Sequence, residues 1–213
     1  MRPPDPPTAR SVVSVFGGPK VTVGSNLLRL SPYQAALVGA VFGSLGENEF
    51  SRTQLIVLLW EEDDSTRTRH RLSQLLYSLG RKTNPVSLVA AEGELIRPNL
   101  DAVESDIRTF RRELSTGGLI AAADLVRRGF LIQLPLVPTR VYEEWLDARR
   151  ATLRSRVRER AAAQLRQGSG EHRWDIAEEG ASILLALSPE DEDALRKLMW
   201  IRAMRGRIDE ALA

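Results

Sequence analysis

Hydrophobic and polar residues near the start of the chain follow the short alternating pattern of β-strands. Three such runs lie at residues 11–16, 20–23 and 27–30, separated by Gly17-Gly18-Pro19 and by Gly24-Ser25-Asn26. Glycine, proline and asparagine in these gaps are turn signals. The pattern therefore predicts a small antiparallel sheet of short strands.

Helical spacing takes over after residue 30. Ser31-Pro32 has the order expected of an N-cap followed by the first helical position, and apolar residues carry this helix to about Leu45. Ser51 is expected to cap a second helix, RTQLIVLLW, which ends near Trp60. Two β-like runs, VSLVAA and ELIRP, follow Asn84-Pro85 and predict a hairpin that turns near Gly93.

An amphipathic basic helix is predicted between the second helix and this hairpin, over residues 65–82. The segment contains five lysine or arginine residues and no acidic residue. Its leucines recur at helical spacing and share one face. The opposite face carries Arg67, His70, Gln74, Tyr77 and Arg81. Arginine and glutamine can make bidentate contacts with base edges, so this helix is a candidate for DNA binding; the alternative is a solvated surface helix.

The chain from Asp101 onward has a helical pattern throughout. Ala177 and Ala211 are 34 residues apart, which is the period of a tetratricopeptide repeat. Since the chain stops early in a helix that needs a packing partner, we expect a truncated repeat domain. The predicted organisation is a disordered leader (1–10), a winged-helix DNA-binding domain (11–100) and a helical activator domain (101–213).

Composition removes several classes of function. The chain has 213 residues, no cysteine and two histidines far apart in sequence, which excludes disulfides and thiolate sites and makes a histidine metal cluster improbable. No phosphate-binding glycine loop and no catalytic set of side chains is evident, so we predict no cofactor and no enzymatic activity. Without a signal peptide or a membrane-length apolar run, the expected location is the cytoplasm, away from the membrane.

The order of elements resembles that of the SARP-type bacterial regulators, which join an OmpR-type winged helix to a bacterial transcriptional activator domain. VFGGPKVTVG, SRTQLIVLLW with Trp60 at its end, and Arg69, Leu72 and Leu79 carry the resemblance in the first domain. FRREL, EEWLDARRATLRSR and ILLALSPEDEDALRKLMWIRAMRGRIDEAL carry it in the second. The fold class expected is mainly α: a winged helix-turn-helix with a short antiparallel sheet, then an all-α tetratricopeptide-like domain.

The resemblance implies a transcriptional activator whose basic helix enters the major groove. The expected partners are double-stranded promoter DNA, RNA polymerase and a second copy of the chain on DNA. Candidates for base contacts are Arg67, His70, Gln74 and Tyr77. Candidates for phosphate contacts are Ser51, Arg52, Thr53, Arg69, Arg71, Arg81, Lys82 and Arg97.

Some residues depart from the family pattern or have a second interpretation. Gly80 stands where relatives usually have arginine, and glycine disfavours a helix, so we expect the helix to fray or end there. The hairpin turn around Glu92 to Glu94 is acidic, whereas a turn that enters the minor groove usually offers a cation. Arg69 has an alternative role as the ion-pair partner of Glu61, Glu62 or Asp63, and His70 as a plain solvated side chain.

These departures keep a second function open. It is a protein-interaction adaptor whose winged helix does not bind DNA specifically. The modest net charge of +2, the acidic turn and Gly80 favour this alternative. The fully basic helix face argues against it.

Overall fold

The computed structural model describes residues 11–44 and 49–207. The strands are β1 (Ser11–Ser14), β2 (Lys20–Val23), β3 (Asn26–Leu27), β4 (Phe50–Ser51), β5 (Val89–Glu92), β6 (Leu95–Pro98) and β7 (Val103–Ser105). The helices are α1 (Pro32–Gly43), α2 (Arg52–Trp60), α3 (Thr66–Thr83), α4 (Asp106–Thr116), α5 (Leu119–Arg127), α6 (Arg140–Gly170), α7 (Trp174–Leu187) and α8 (Glu192–Met204). The chain is mainly α, with a winged helix-turn-helix followed by an all-α region, as the sequence predicts. The predicted leader and last helical piece lie outside the described residues.

Packing divides the chain into two compact units. The first comprises Met1–Thr109 and Gly129–Arg149, and the second comprises Phe110–Arg128 and Arg150–Ala213. This division differs from the sequence-based boundary at residue 100 because β7 and the segment 129–149 pack with the first unit. The functional division into a DNA-binding and an activator domain stays a prediction.

The first unit contains a four-stranded sheet in the order β3-β2-β1-β7. β1 pairs with β2 in antiparallel register, with Val13 opposite Val21, and both side chains are fully buried. β7 lies parallel to β1 on its other side. The prediction of helical structure throughout from Asp101 is therefore wrong at β7. A three-residue strand that pairs with a segment about 90 residues earlier leaves no local pattern to detect.

Three serine N-caps define the starts of the first three helices. Ser31, Ser51 and Ser65 each accept a hydrogen bond from the backbone NH three residues later, and the side chain of that later residue accepts one from the serine NH. Such reciprocal capping boxes satisfy two otherwise unpaired donors at each helix start. The predicted caps at Ser31 and Ser51 are confirmed.

The α3 helix continues past Gly80 to Thr83, so the expected end near Gly80 is wrong. Leu79 and Thr83 flank the glycine and are almost fully buried. Packing of these neighbours outweighs the roughly 1 kcal/mol by which glycine disfavours a helix.

The segment 129–149 completes the core of the first unit. Tyr142 is fully buried and donates a hydrogen bond to the Ala36 carbonyl of α1 at 2.9 Å. Gly39 makes this close approach possible, since a Cβ atom there would lie 3.0 Å from the Tyr142 hydroxyl and 2.9 Å from Leu131. Asp106 ties β1 to the start of α4, because its carboxylate accepts hydrogen bonds from the NH groups of Val15 and Phe16.

The second unit is helical among its described residues. Gly180 of α7 lies against α6 so closely that a Cβ atom would be 2.7 Å from the Ala161 carbonyl oxygen. α7 and α8 form a helical hairpin, and Glu178 of α7 pairs with Arg202, Arg205 and Arg207. Tetratricopeptide-like repetition stays a prediction, because Ala211 lies outside the described residues.

Replacing Tyr142 by phenylalanine is expected to lower the free energy of unfolding by about 0.5–1.5 kcal/mol, because one buried hydrogen bond is lost without a change in packing. Urea denaturation measures the effect. Tyr33→Phe is the matched control, since the Tyr33 hydroxyl makes no hydrogen bond to any described residue; its effect is expected to stay within about 0.5 kcal/mol. Equal effects of the two substitutions would contradict the role given to Tyr142.

Replacing Gly80 by alanine is expected to stabilise the chain by up to about 1 kcal/mol. A Cβ atom at Gly80 meets no other atom within 4 Å, so the helical preference of alanine is gained without a clash. Thermal or urea denaturation checks this. Gly129→Ala should have the opposite sign, because Gly129 has a φ of +80° and its Cβ atom would lie 2.5 Å from Ile132.

Candidate nucleic-acid interface

The helix α3, which we call the recognition helix, is placed by its leucine face. Leu72 and Leu79 are buried, with 0% and 2% of their surface exposed, while Leu75 and Leu76 are half-buried. α2 precedes it and ends at Trp60; the C-cap residue Glu61 follows, and its left-handed φ of 51° reverses the chain. The buried leucines fix the rotation of α3 about its axis, so its opposite face points to solvent.

The five outward residues predicted from the sequence form one exposed stripe along α3. Arg67, His70, Gln74, Tyr77 and Arg81 are all exposed, and Tyr77 has 69% of its surface accessible. His70 Nε2 and Gln74 Nε2 lie 2.9 Å apart in a hydrogen bond. Arg67 and Arg81 make no ion pair with any residue of the described ranges. The stripe thus offers two uncompensated cations and several hydrogen-bonding groups on a helix surface without carboxylates.

Arg69 lies beside this stripe but is held by carboxylates. Its Nε and Nη2 donate to the two oxygens of Asp64 at 2.6 and 2.7 Å, and its Nη1 donates to Glu94 at 2.8 Å. Arg69 is therefore in an ion pair, as its alternative role required. Its partners are Asp64 and Glu94, so the partners expected from the sequence, Glu61, Glu62 or Asp63, are wrong. Its role as a phosphate contact stays an untested prediction.

Arg71 stacks on aromatic rings. Its guanidinium lies 4.5 Å from the Trp60 ring centroid and 5.6 Å from that of Tyr33, and it pairs with Glu62 at 3.2 Å. Cation–π contacts of this kind hold a planar guanidinium in place. Tyr33 and Trp60 are half-buried and form a platform that joins α1 and α2 to the recognition helix.

The start of α2 carries three further predicted contacts. Ser51 caps the helix, and the Thr53 hydroxyl donates to Asp64 at 2.5 Å. Arg52 donates from Nε to the Gly93 carbonyl at 3.1 Å and from Nη1 to the Ser73 hydroxyl at 3.4 Å. Both acceptors are neutral, so the charge of Arg52 remains available to an anion.

Lys82 and Arg97 differ in the charge of the groups that they bind. Lys82 Nζ donates to two neutral oxygens, the Arg29 carbonyl at 2.9 Å and Gln34 Oε1 at 2.8 Å. Arg97 of β6 is paired with Glu92, across the hairpin, and with Glu49. We call the hairpin β5–β6 the wing. Its cation, Arg97, has its charge balanced by Glu92 and Glu49.

Asp64 and Glu94 are the functional neighbours that the sequence prediction missed. Asp64 is five residues before Arg69 and lies in the connector between α2 and α3. Glu94 is 25 residues away from Arg69. No spacing rule relates a hairpin turn to a helix at that distance, whereas the Asp64 contact could have been suspected from its proximity.

Comparison with known proteins finds a similar fold among solved structures. No family model and no curated protein matches the chain. Among solved structures, the chain is similar to Mycobacterium tuberculosis EmbR in complex with a low-affinity phosphopeptide, with 16% sequence identity and a TM-score of 0.55. The match covers 95% of this chain and 57% of the EmbR chain. The chain therefore has an EmbR-like fold.

Two kinds of feature are absent from the described residues. These residues contain no helix that is long and apolar enough to cross a membrane. Within the same residues, no group of three or more histidine, cysteine or acidic side chains is arranged to hold a metal ion.

Arg69→Gln is expected to raise the pKa of Asp64. Hydrogen bonds from Arg69, and then from Thr53, hold that pKa below its ordinary value of 3.8. Because the pKa is lower in the folded chain, the pair stabilises the fold above the ordinary pKa, and this contribution is lost as the pH falls through the lowered pKa. A carbon-13 NMR titration of the Asp64 carboxyl measures the shift.

The matched reference in that titration is Asp193, which Lys197 holds in an ion pair at 2.5 Å and whose pKa is also lowered. Its titration should not change in the Arg69→Gln variant. An Asp64 carboxyl that titrates at its ordinary value in the unsubstituted chain would contradict the prediction.

Proposed function

We propose that the chain is a sequence-specific DNA-binding transcriptional regulator of the SARP type, acting as an activator. The observation that supports this most directly is the exposed stripe on the recognition helix. Two uncompensated arginines flank histidine, glutamine and tyrosine side chains on one helix face. That face belongs to the helix which the winged-helix fold presents to DNA.

In the proposed complex α3 enters the major groove, which is wide enough to admit a helix. Arg67, His70, Gln74 and Tyr77 contact base edges. An arginine on guanine, or a glutamine on adenine, contributes about 1–3 kcal/mol of discrimination. The free charge of Arg81 and the start of α2, with Ser51, Arg52 and Thr53, contact phosphates, since a helix N-terminus favours anions.

The helical domain is proposed to mediate dimerisation on DNA or contact with RNA polymerase. Stacked helical hairpins such as α7–α8 form extended surfaces that suit protein partners. The chain spans 57% of the length of EmbR, and the phosphopeptide bound to EmbR is not assigned to this chain.

The adaptor remains the second candidate, and one set of contacts favours it. Arg69, Arg71 and Arg97, three of the predicted phosphate ligands, are already paired with Asp64, Glu94, Glu62, Glu92 and Glu49. These carboxylates would weaken the attraction of the surface for phosphate. Under this alternative the stripe on α3 binds a protein.

Arg67→Ala is expected to relax sequence preference at one or two base pairs and to weaken the preferred sites by about 1–3 kcal/mol, with little effect on random DNA. Binding is measured on duplexes selected from a random library. Arg81→Ala is the comparison: it should weaken all duplexes alike and lower the salt dependence by about one counterion. Weak, equal binding to every sequence, unchanged by Arg67→Ala, would favour the adaptor.

A further inference from the structure

The turn of the wing is bound to the helix-turn-helix by two sets of hydrogen bonds, one at the start of α2 and one at Arg69 of α3. The backbone NH of Arg52 donates to the Glu94 carbonyl at 2.9 Å, and the Arg52 side chain donates to the Gly93 carbonyl at 3.1 Å. β6 also pairs with β4, with Ser51 opposite Leu95. The wing is therefore attached to the start of α2 by its own backbone.

The second set of hydrogen bonds comes from the guanidinium of Arg69. All three of its nitrogens donate to carboxylate oxygens, two to Asp64 and one to Glu94, at 2.6–2.8 Å. These carboxylates lie in the α2–α3 connector and in the wing turn. One side chain of the recognition helix thus joins three separate elements.

The balance of charge around Arg69 is unfavourable for a phosphate. One cation faces two anions, so this cluster carries a formal charge of about −1 at neutral pH. A phosphate would have to displace at least one carboxylate that already has good hydrogen-bond geometry. The side chain of Asp64 is only 18% exposed, which leaves that carboxylate little room to move away.

We propose that Arg69 is a positioning residue, which holds the wing turn beside the recognition helix through Asp64 and Glu94. The set of Arg69, Asp64 and Glu94 is called the wing clasp. The clasp requires the planar fork of arginine, because a lysine ammonium cannot bind one carboxylate with two parallel hydrogen bonds and reach a second. Its importance for DNA recognition rests on the proposed function; its effect on the wing does not.

Amide hydrogen exchange on the full chain without DNA tests the clasp. Arg69→Lys is expected to speed exchange of the β5–β6 amides about two- to fivefold, the range for an exposed ion pair. Arg81→Lys is the matched control, since it makes the same change on the same helix at a cation with no ion pair to a described residue. Exchange in α1 should not change in either variant, which separates loosening of the wing from global unfolding.

Glu94→Gln should speed exchange in the wing to a similar degree, and the double variant Arg69→Lys, Glu94→Gln should exchange no faster than the faster single variant. This non-additivity is expected of two side chains that act through one contact. Unchanged wing exchange in Arg69→Lys, or fully additive effects in the double variant, would overturn the proposal.

The dependence of DNA binding on salt then separates positioning from phosphate contact. The double variant Arg69→Gln, Glu94→Gln leaves the net charge of the cluster unchanged. It therefore tests whether Arg69 contacts a phosphate without adding repulsion between the cluster and DNA. A positioning role predicts affinity reduced about two- to fivefold with the same slope against salt. A slope lowered by about 0.9 would mean a lost phosphate contact and would overturn the proposal. If the unsubstituted chain binds no duplex, the proposed function fails, and the exchange measurement alone decides the clasp.

Discussion

Burial of the leucine face of α3 is the constraint on which the candidate site depends. Leu72 and Leu79 are almost fully removed from water, which is worth about 1.5–3 kcal/mol for each side chain. A rotation of the helix by one residue would expose them and bury neighbours that are polar or lack a side chain, such as Arg71, Ser73 or Gly80. The outward direction of Arg67, His70, Gln74, Tyr77 and Arg81 is therefore a consequence of core packing, and it is set before any ligand binds.

Charge on the same helix is divided between two uses. Arg67 and Arg81 point to solvent without a carboxylate partner among the described residues, whereas Arg69 and Arg71 are paired and packed within the fold. A sequence with many arginines therefore need not present a strongly cationic surface. The paired arginines stiffen the framework, and the unpaired ones define the stripe that is available to a partner.

The first unit extends beyond the residues that form the winged helix itself. β7 pairs with β1, Asp106 binds the two residues Val15 and Phe16 shortly after that strand, and Tyr142 contacts α1, although all three follow the wing in sequence. Gly39 permits the close approach of Tyr142 to α1. A division of the chain at the end of the wing would remove Tyr142 from α1 and the strand β7 from one edge of β1.

Local patterns in the sequence predicted the three helices, the wing hairpin and the outward stripe, but not the two-residue strand β4. Capping serines, leucine spacing and glycine turns act within a few residues, so their physical effects can be read from the chain. The three-residue strand β7 and the continuation of α3 through Gly80 were decided by tertiary packing, which overrides weak local preferences. The partners of Arg69 and Arg71 were also decided by the fold, because an ion pair or a cation–π contact depends on which distant side chains packing brings within a few ångströms.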